Sequence, residues 1–187
     1  MKTIGFWGAV QIGVLILSAS IGGLAQTPRE MNLRGTISDY SPQSVSGPWE
    51  LRGHWSLKVK GDSGTADFSA ALTMVRSDLG VMLSGGGDLN SAKQRNAHTH
   101  HITLVDGTIT PLTNGFRVTG NATITANGAF PPPFGPSSTV QIDITGSNTV
   151  TFSNIQLTMG GNAAVHFGTN PFTGVVRNVA DHDNDRD

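Results

Sequence analysis

The stretch WELRGHWSLKVKGDSGTADFSAALTM, residues 49–74, decides the fold class. Trp49, Leu51, Trp55, Leu57 and Val59 share one parity, with Gly53 among them, while Arg52, His54, Ser56, Lys58 and Lys60 occupy the other. Successive side chains of an extended chain point to opposite faces, so the first set lines a buried face and the second a wet one. Gly61-Asp62-Ser63-Gly64 supplies a turn. The chain then returns with Ala66, Phe68, Ala70, Leu72 and Met74 on one face and Thr65, Asp67, Ser69 and Thr73 on the other. This pattern predicts a long antiparallel hairpin with one solvated face.

The same two-residue period recurs on both sides of the hairpin, and no stretch of the mature chain shows a sustained period of 3.6. A strand is expected around Leu33 to Ile37. Leu79, Val81 and Leu83 suggest a short strand, followed by a Gly85-Gly86-Gly87-Asp88 turn. His98 to Val105 reads as a strand, Asp106-Gly107 as a tight hairpin turn, and Thr108 to Pro111 as the return. Phe116, Val118, Ala122, Ile124 and Ala126 share a parity in a further strand. Prolines 131–133 and Pro136 lack the donor a central ladder needs, so this segment reads as a stiff loop presenting Phe130 and Phe134. Val140, Ile142 and Ile144 alternate before the turn at Gly146-Ser147-Asn148. The apolar parity then shifts from Val150 and Phe152 to Ile155, Leu157 and Met159, which predicts a bulge near Ser153-Asn154. Ala163, Val165 and Phe167 suggest a short strand, and Gly174-Val175-Val176 a possible edge. About eight to ten antiparallel strands in this arrangement predict an all-β sandwich or barrel.

The N-terminal segment has a different character. Lys2 is the only charge before Arg29, and an apolar run from Ile4 to Leu17 ends in Gly23-Leu24-Ala25. That is the layout of an export signal cleaved after Ala25. The expected organisation is a signal peptide over 1–25, one all-β domain over 26–176 and an acidic, disordered tail over 177–187. Export implies a secreted or periplasmic protein. The mature part contains no apolar stretch of membrane-spanning length.

Composition excludes several chemistries. The chain has no cysteine, which removes disulfides, Cys-zinc sites and thiol nucleophiles. Gln26 to Val176 carries nine acidic and nine basic residues, so no basic excess marks a nucleic-acid binder. There is no G-x-S-x-G elbow, and Gly85-Gly86-Gly87 lacks the Lys-Ser/Thr of a phosphate loop. The tail Asp181 to Asp187 opens like a calcium loop but has Arg186 at the position that requires glycine.

One cluster carries chemistry. In a strand, His98 and His100 point to the same side, roughly 6.6 Å apart along the chain. Two imidazoles so placed can lean toward one metal ion, zinc or copper, at about 2.0–2.1 Å per bond. A third ligand must come from a neighbouring strand, with His54 or His166 as the imidazoles available and Asp67 or Asp143 as carboxylates. His101 faces the other way. The bland alternative is equally specific: His98 and His100 share parity with Ile102 and Leu104 and would then only line the mouth of an apolar face. An H-x-H pair invites comparison with cupin barrels. However, the only glutamates are Glu30 and Glu50, so none follows His100, and the residues support no family assignment.

Three functions are consistent with these residues. The first is a non-enzymatic exported binding or envelope domain with a small-molecule or surface ligand and a His-rich metal site. The second is a metal-dependent enzyme built on the H-x-H pair. The third is a purely structural secreted protein. The position of His54 and His166 relative to His98 and His100 discriminates among them.

Overall fold

In a computed structural model of the chain, the described residues are 30–41, 48–61, 63–76, 97–127, 135, 137–147 and 151–177. The N-terminal segment expected to be an export signal, the strand expected around Leu79 to Leu83, the proline-rich segment and the tail beyond Arg177 lie outside them. Eight strands follow in order: β1 (Met31–Ser41), β2 (Trp49–Lys60), β3 (Thr65–Arg76), β4 (His98–Leu112), β5 (Gly115–Asn127), β6 (Ser137–Gly146), β7 (Phe152–Met159) and β8 (Phe172–Arg177). A five-residue helix, α1 (Ala163–Phe167), stands between β7 and β8. Each strand pairs antiparallel with the next, and β8 pairs with β1 as well as β7, so the sheet closes into a barrel.

Closure decides between the two architectures open to the sequence. β8 is no edge: Gly174 and Val175 are paired on both sides, with Gly174 opposite Ile37 on β1 and Ile155 on β7. A closed barrel leaves no unpaired strand to template aggregation. Eight strands give an interior just wide enough for side chains to fill. Leu51, Leu72, Ile102, Val118, Ile142 and Leu157 are among those that fill it, each essentially inaccessible to solvent. Among the described residues, no helix is long and apolar enough to cross a membrane.

The hairpin of β2 and β3 is in the register its alternation predicts, from Trp49 opposite Arg76 to Lys60 opposite Thr65. Trp55, one of its two inward tryptophans, lies near-parallel to Phe68 with ring centroids 6.4 Å apart. Gly35, opposite Trp55 on β1, makes that possible. A Cβ at Gly35 would fall on the Val175 carbonyl oxygen of β8 and 2.8 Å from the Trp55 ring. Gly35→Ala therefore strikes the seam where the barrel closes. It is expected to cost about 3 kcal/mol or more, at the upper end of overpacking effects, measured as a lowered urea midpoint. A loss under about 0.5 kcal/mol, the level of an ordinary surface change, would contradict this packing.

The Asp106-Gly107 hairpin is corrected. β4 runs straight through these residues, and the hairpin turn lies at Thr113-Asn114, between Leu112 and its partner Gly115. Asp106 has φ 54°, the left-handed conformation that also suits it to turns. Here it makes a bulge. From Thr103 to Thr108, β4 contains one residue more than the facing run of β5, and from Leu104 to Gly107 one more than the facing run of β3. The inward parity changes accordingly, from His100, Ile102 and Leu104 to Gly107 and Ile109. Lys60 fastens the bulge by pairing with Asp106 at 2.7 Å and Asp67 at 2.8 Å. The bulge expected in β7 is present: Thr145 faces Asn154 and Gly146 faces Phe152, leaving Ser153 unopposed.

The two barrel ends differ. One end has the tight connections after β2, β4 and β6. The other receives the longer connections after β1, β3, β5 and β7, and α1 lies in the last of these.

Candidate metal centre

β4 begins at the end that carries α1, and its first inward residues are His98 and His100. The parity that the sequence assigns to them holds: His100 is 1% exposed, at the top of the row continued by Ile102 and Leu104, and His98 is part-buried at the rim.

The third imidazole arrives by a route the sequence pattern conceals. The alternation over Ala163 to Phe167 predicts a strand with Ala163, Val165 and Phe167 on one face, which would turn His166 away from Phe167. The segment is a helical turn instead, with Ala163, His166 and Phe167 buried and Val165 54% exposed. Positions i, i+3 and i+4 form one helical face, so His166 and Phe167 both enter the barrel mouth. Two adjacent alanines are strong helix formers. The turn is bounded by Gly161 at φ 56° and Gly168 at φ 92°.

Two serines at strand ends hold the turn down. Ser138 of β6 donates to the Gly160 carbonyl at 2.6 Å, and its oxygen accepts from the Ala163 N–H at 3.4 Å. Ser41, the last residue of β1, donates to the Phe167 carbonyl at 2.5 Å.

The result is a compact triad. His166 Nε2 lies 3.1 Å from His98 Nε2 and 3.1 Å from His100 Nε2. The three donor atoms all fall within 4.8 Å of one another. Four tetrahedral donors at about 2.0–2.1 Å from zinc stand roughly 3.3–3.4 Å apart, so both contacts of His166 are near the separation a metal imposes. Hydrogen bonding alone accounts for them poorly. A ring nitrogen has one in-plane site, either a proton or a lone pair. His166 Nε2 can therefore make one good hydrogen bond, not two. A cation at the centre takes a lone pair from each ring.

Aromatic walls surround the triad. The Trp49 ring meets His98 edge-on at 5.1 Å and tilts over His166 at 5.5 Å. Phe167 packs 4.9 Å from His100 and 5.2 Å from His166. Burial against these walls pushes the His100 imidazole down to about 3, with the neighbouring His166 and His98 pushing the same way. Burial, then His98, lowers His166 to about 4. Both rings are consequently held in the neutral, ligating form.

The remaining residues singled out in the sequence lie elsewhere. His54 is on the outer face of β2, as its even parity requires, and does not join the triad. His101 is also outward, and the two flank Ala71 of β3 in one cross-strand row. Asp67 is engaged by Lys60 and by the Asp106 N–H. Asp143 receives two hydrogen bonds from Arg117, both 2.7 Å. No carboxylate stands with the three histidines among the described residues. The sequence reading did not include Trp49, Phe167, Ser41 and Ser138 in the site. The signal that could have revealed the helical turn is Ala163-Ala164 between Gly160-Gly161 and Gly168.

Fold and site together define an eight-stranded meander barrel capped at one end by three convergent imidazoles. Comparison with protein-family models, characterised proteins and solved structures finds no match to this chain.

Proposed function

We propose that the protein is an exported binding barrel whose His98, His100 and His166 hold a divalent metal ion, zinc or copper. The observation that carries this reading is the double approach of His166 Nε2 to the other two rings at 3.1 Å, which one proton cannot serve. An all-imidazole set suits both metals. The ligands come from two elements far apart in sequence, β4 and α1, so the ion ties the β7–β8 connection to the barrel wall. A binding role of this kind accounts for the preformed, neutral donors at the end with the longer connections. The export signal over 1–25 and the histidine-bearing end then suit a ligand met outside the cell.

The test is metal content and metal-linked stability of untagged protein. Purified protein is expected to retain close to one equivalent of zinc or copper. After chelation, zinc at about 100 times its dissociation constant adds about 2.7 kcal/mol to stability, a rise in Tm of about 5–10 °C for a domain of this size. No retained metal, with no thermal shift from either ion, would end this reading and leave a hydrogen-bonded histidine cluster in a structural barrel.

A further inference from the structure

β8 closes the barrel against β1 through four residue pairs, and one of them sets Arg177 directly opposite Arg34. Both side chains are exposed on the outer face of the seam. Directly opposed residues of an antiparallel pair have Cβ atoms about 4.5–5.5 Å apart, where like charges repel. The surroundings of Arg34 do not relieve that repulsion. Its outward neighbours along β1 are Asn32 and Thr36. On β2, Ser56 lies opposite, with His54 and Lys58 on the diagonals, and Val175 is the diagonal neighbour on β8. None of these is an acid, and Lys58 adds a third positive group. Among the described residues neither guanidinium makes an ion pair. Two carboxylates of the same outer face are engaged elsewhere: Asp67, opposite Lys58, is held by Lys60, and Glu50 pairs with Arg52. Glu30 precedes β1.

The donors select the shape of an anion. Each guanidinium presents a planar fork that matches two oxygens. One carboxylate therefore satisfies one fork, whereas two facing forks call for oxygens pointing in more than one direction. A tetrahedral dianion supplies them, and its double charge answers two cations. Ser56, beside Arg34, contributes a hydroxyl donor.

We propose that Arg34 and Arg177 form a binding site on the outside of the barrel for a tetrahedral oxyanion of the phosphate or sulfate kind, with Ser56 and Lys58 at its margin. The site lies toward the end with the tight connections and stands independently of the metal-centre reading. An anion bridging the two arginines also removes the repulsion across a closing pair, so binding and closure of the seam favour each other.

The experiment titrates the full protein separately with inorganic phosphate, sulfate and acetate at constant ionic strength, following backbone amide signals by NMR. Saturable shifts are expected at Arg34, Ser56 and Arg177 with the two tetrahedral anions and not with acetate, and the tighter of the two names the group recognised. Arg34→Gln and Arg177→Gln should each weaken binding at least about 10-fold, as loss of a charge-assisted hydrogen bond does. Arg52→Gln, which breaks the pair with Glu50, should change it by less than about twofold. Both seam variants remove a like-charge contact, so they are expected to melt no lower than the parent. Equal responses to all three anions, shifts confined to the histidine end, or binding that survives either seam substitution would overturn the inference. So would binding that appears only when Asp181, Asp183, Asp185 and Asp187 are all replaced by Asn, because the chain's own aspartates would then be the occupant.

Discussion

His166→Ala will weaken zinc binding by more than about 100-fold, beyond the 10–100-fold typical of losing a partner outside the ligand set. It removes the only donor that touches both other rings at 3.1 Å and leaves an H-x-H pair on one strand. His98→Ala is expected to do the same with less risk to the fold, since His98 lies part-buried at the rim. His54→Ala and His101→Ala, both on the outer face, are the controls and should change affinity by no more than about twofold. That bound corresponds to the ±0.5 kcal/mol of ordinary surface substitutions. Calorimetric titration of the four variants provides the comparison. Equal losses in all four, or none in His166→Ala, would contradict the site, provided far-UV circular dichroism shows the barrel retained.

Acid will destabilise the metal-free protein well before its carboxylates titrate. His100 and His166 are held at about 3 and about 4 in the fold, below the ordinary 6.5. Between these values the unfolded chain binds more protons than the folded one, so stability falls as pH falls, beginning near 6.5. At pH 5 both folded imidazoles are still neutral. Each then costs about 2 kcal/mol relative to pH 8, at about 1.4 kcal/mol per unit. Together they remove about 4 kcal/mol from a typical total of 5–15. The metal-free Tm is therefore expected to drop by roughly 10 °C between pH 8 and pH 5. Asp67, whose pairing with Lys60 lowers it, acts in a separate window below its ordinary 3.8. A Tm that is flat from pH 8 to 5 and falls only below 4 would show that carboxylates, not buried imidazoles, govern acid sensitivity. Saturating zinc should offset part of the loss at pH 6, because the metal binds only the folded triad.

What the sequence revealed, and what it hid, follows from how local each signal is. The β2–β3 hairpin was legible because twelve-residue strands repeat the in-out alternation many times over. The same alternation put His98 and His100 on one side and His54 on the wet face of its strand. Barrel against sandwich was not legible, since closure depends on β8 meeting β1 across most of the chain. Asp106-Gly107 misled because a left-handed residue followed by glycine serves a hairpin turn and a bulge equally well. The actual turn, Thr113-Asn114, carries a weaker signal. The most consequential ambiguity was at Ala163 to Phe167. In five residues a two-residue and a 3.6-residue period cannot be separated, and only the helical one brings His166 beside Phe167 and into the mouth.

X-ray absorption at the zinc edge of the zinc-loaded protein tests the three-imidazole centre most directly. The expected spectrum fits a four-coordinate ion with nitrogen and oxygen donors at about 2.0–2.1 Å and the outer-shell scattering of three imidazole rings. A six-coordinate oxygen shell, or scattering from no more than one ring, would contradict it.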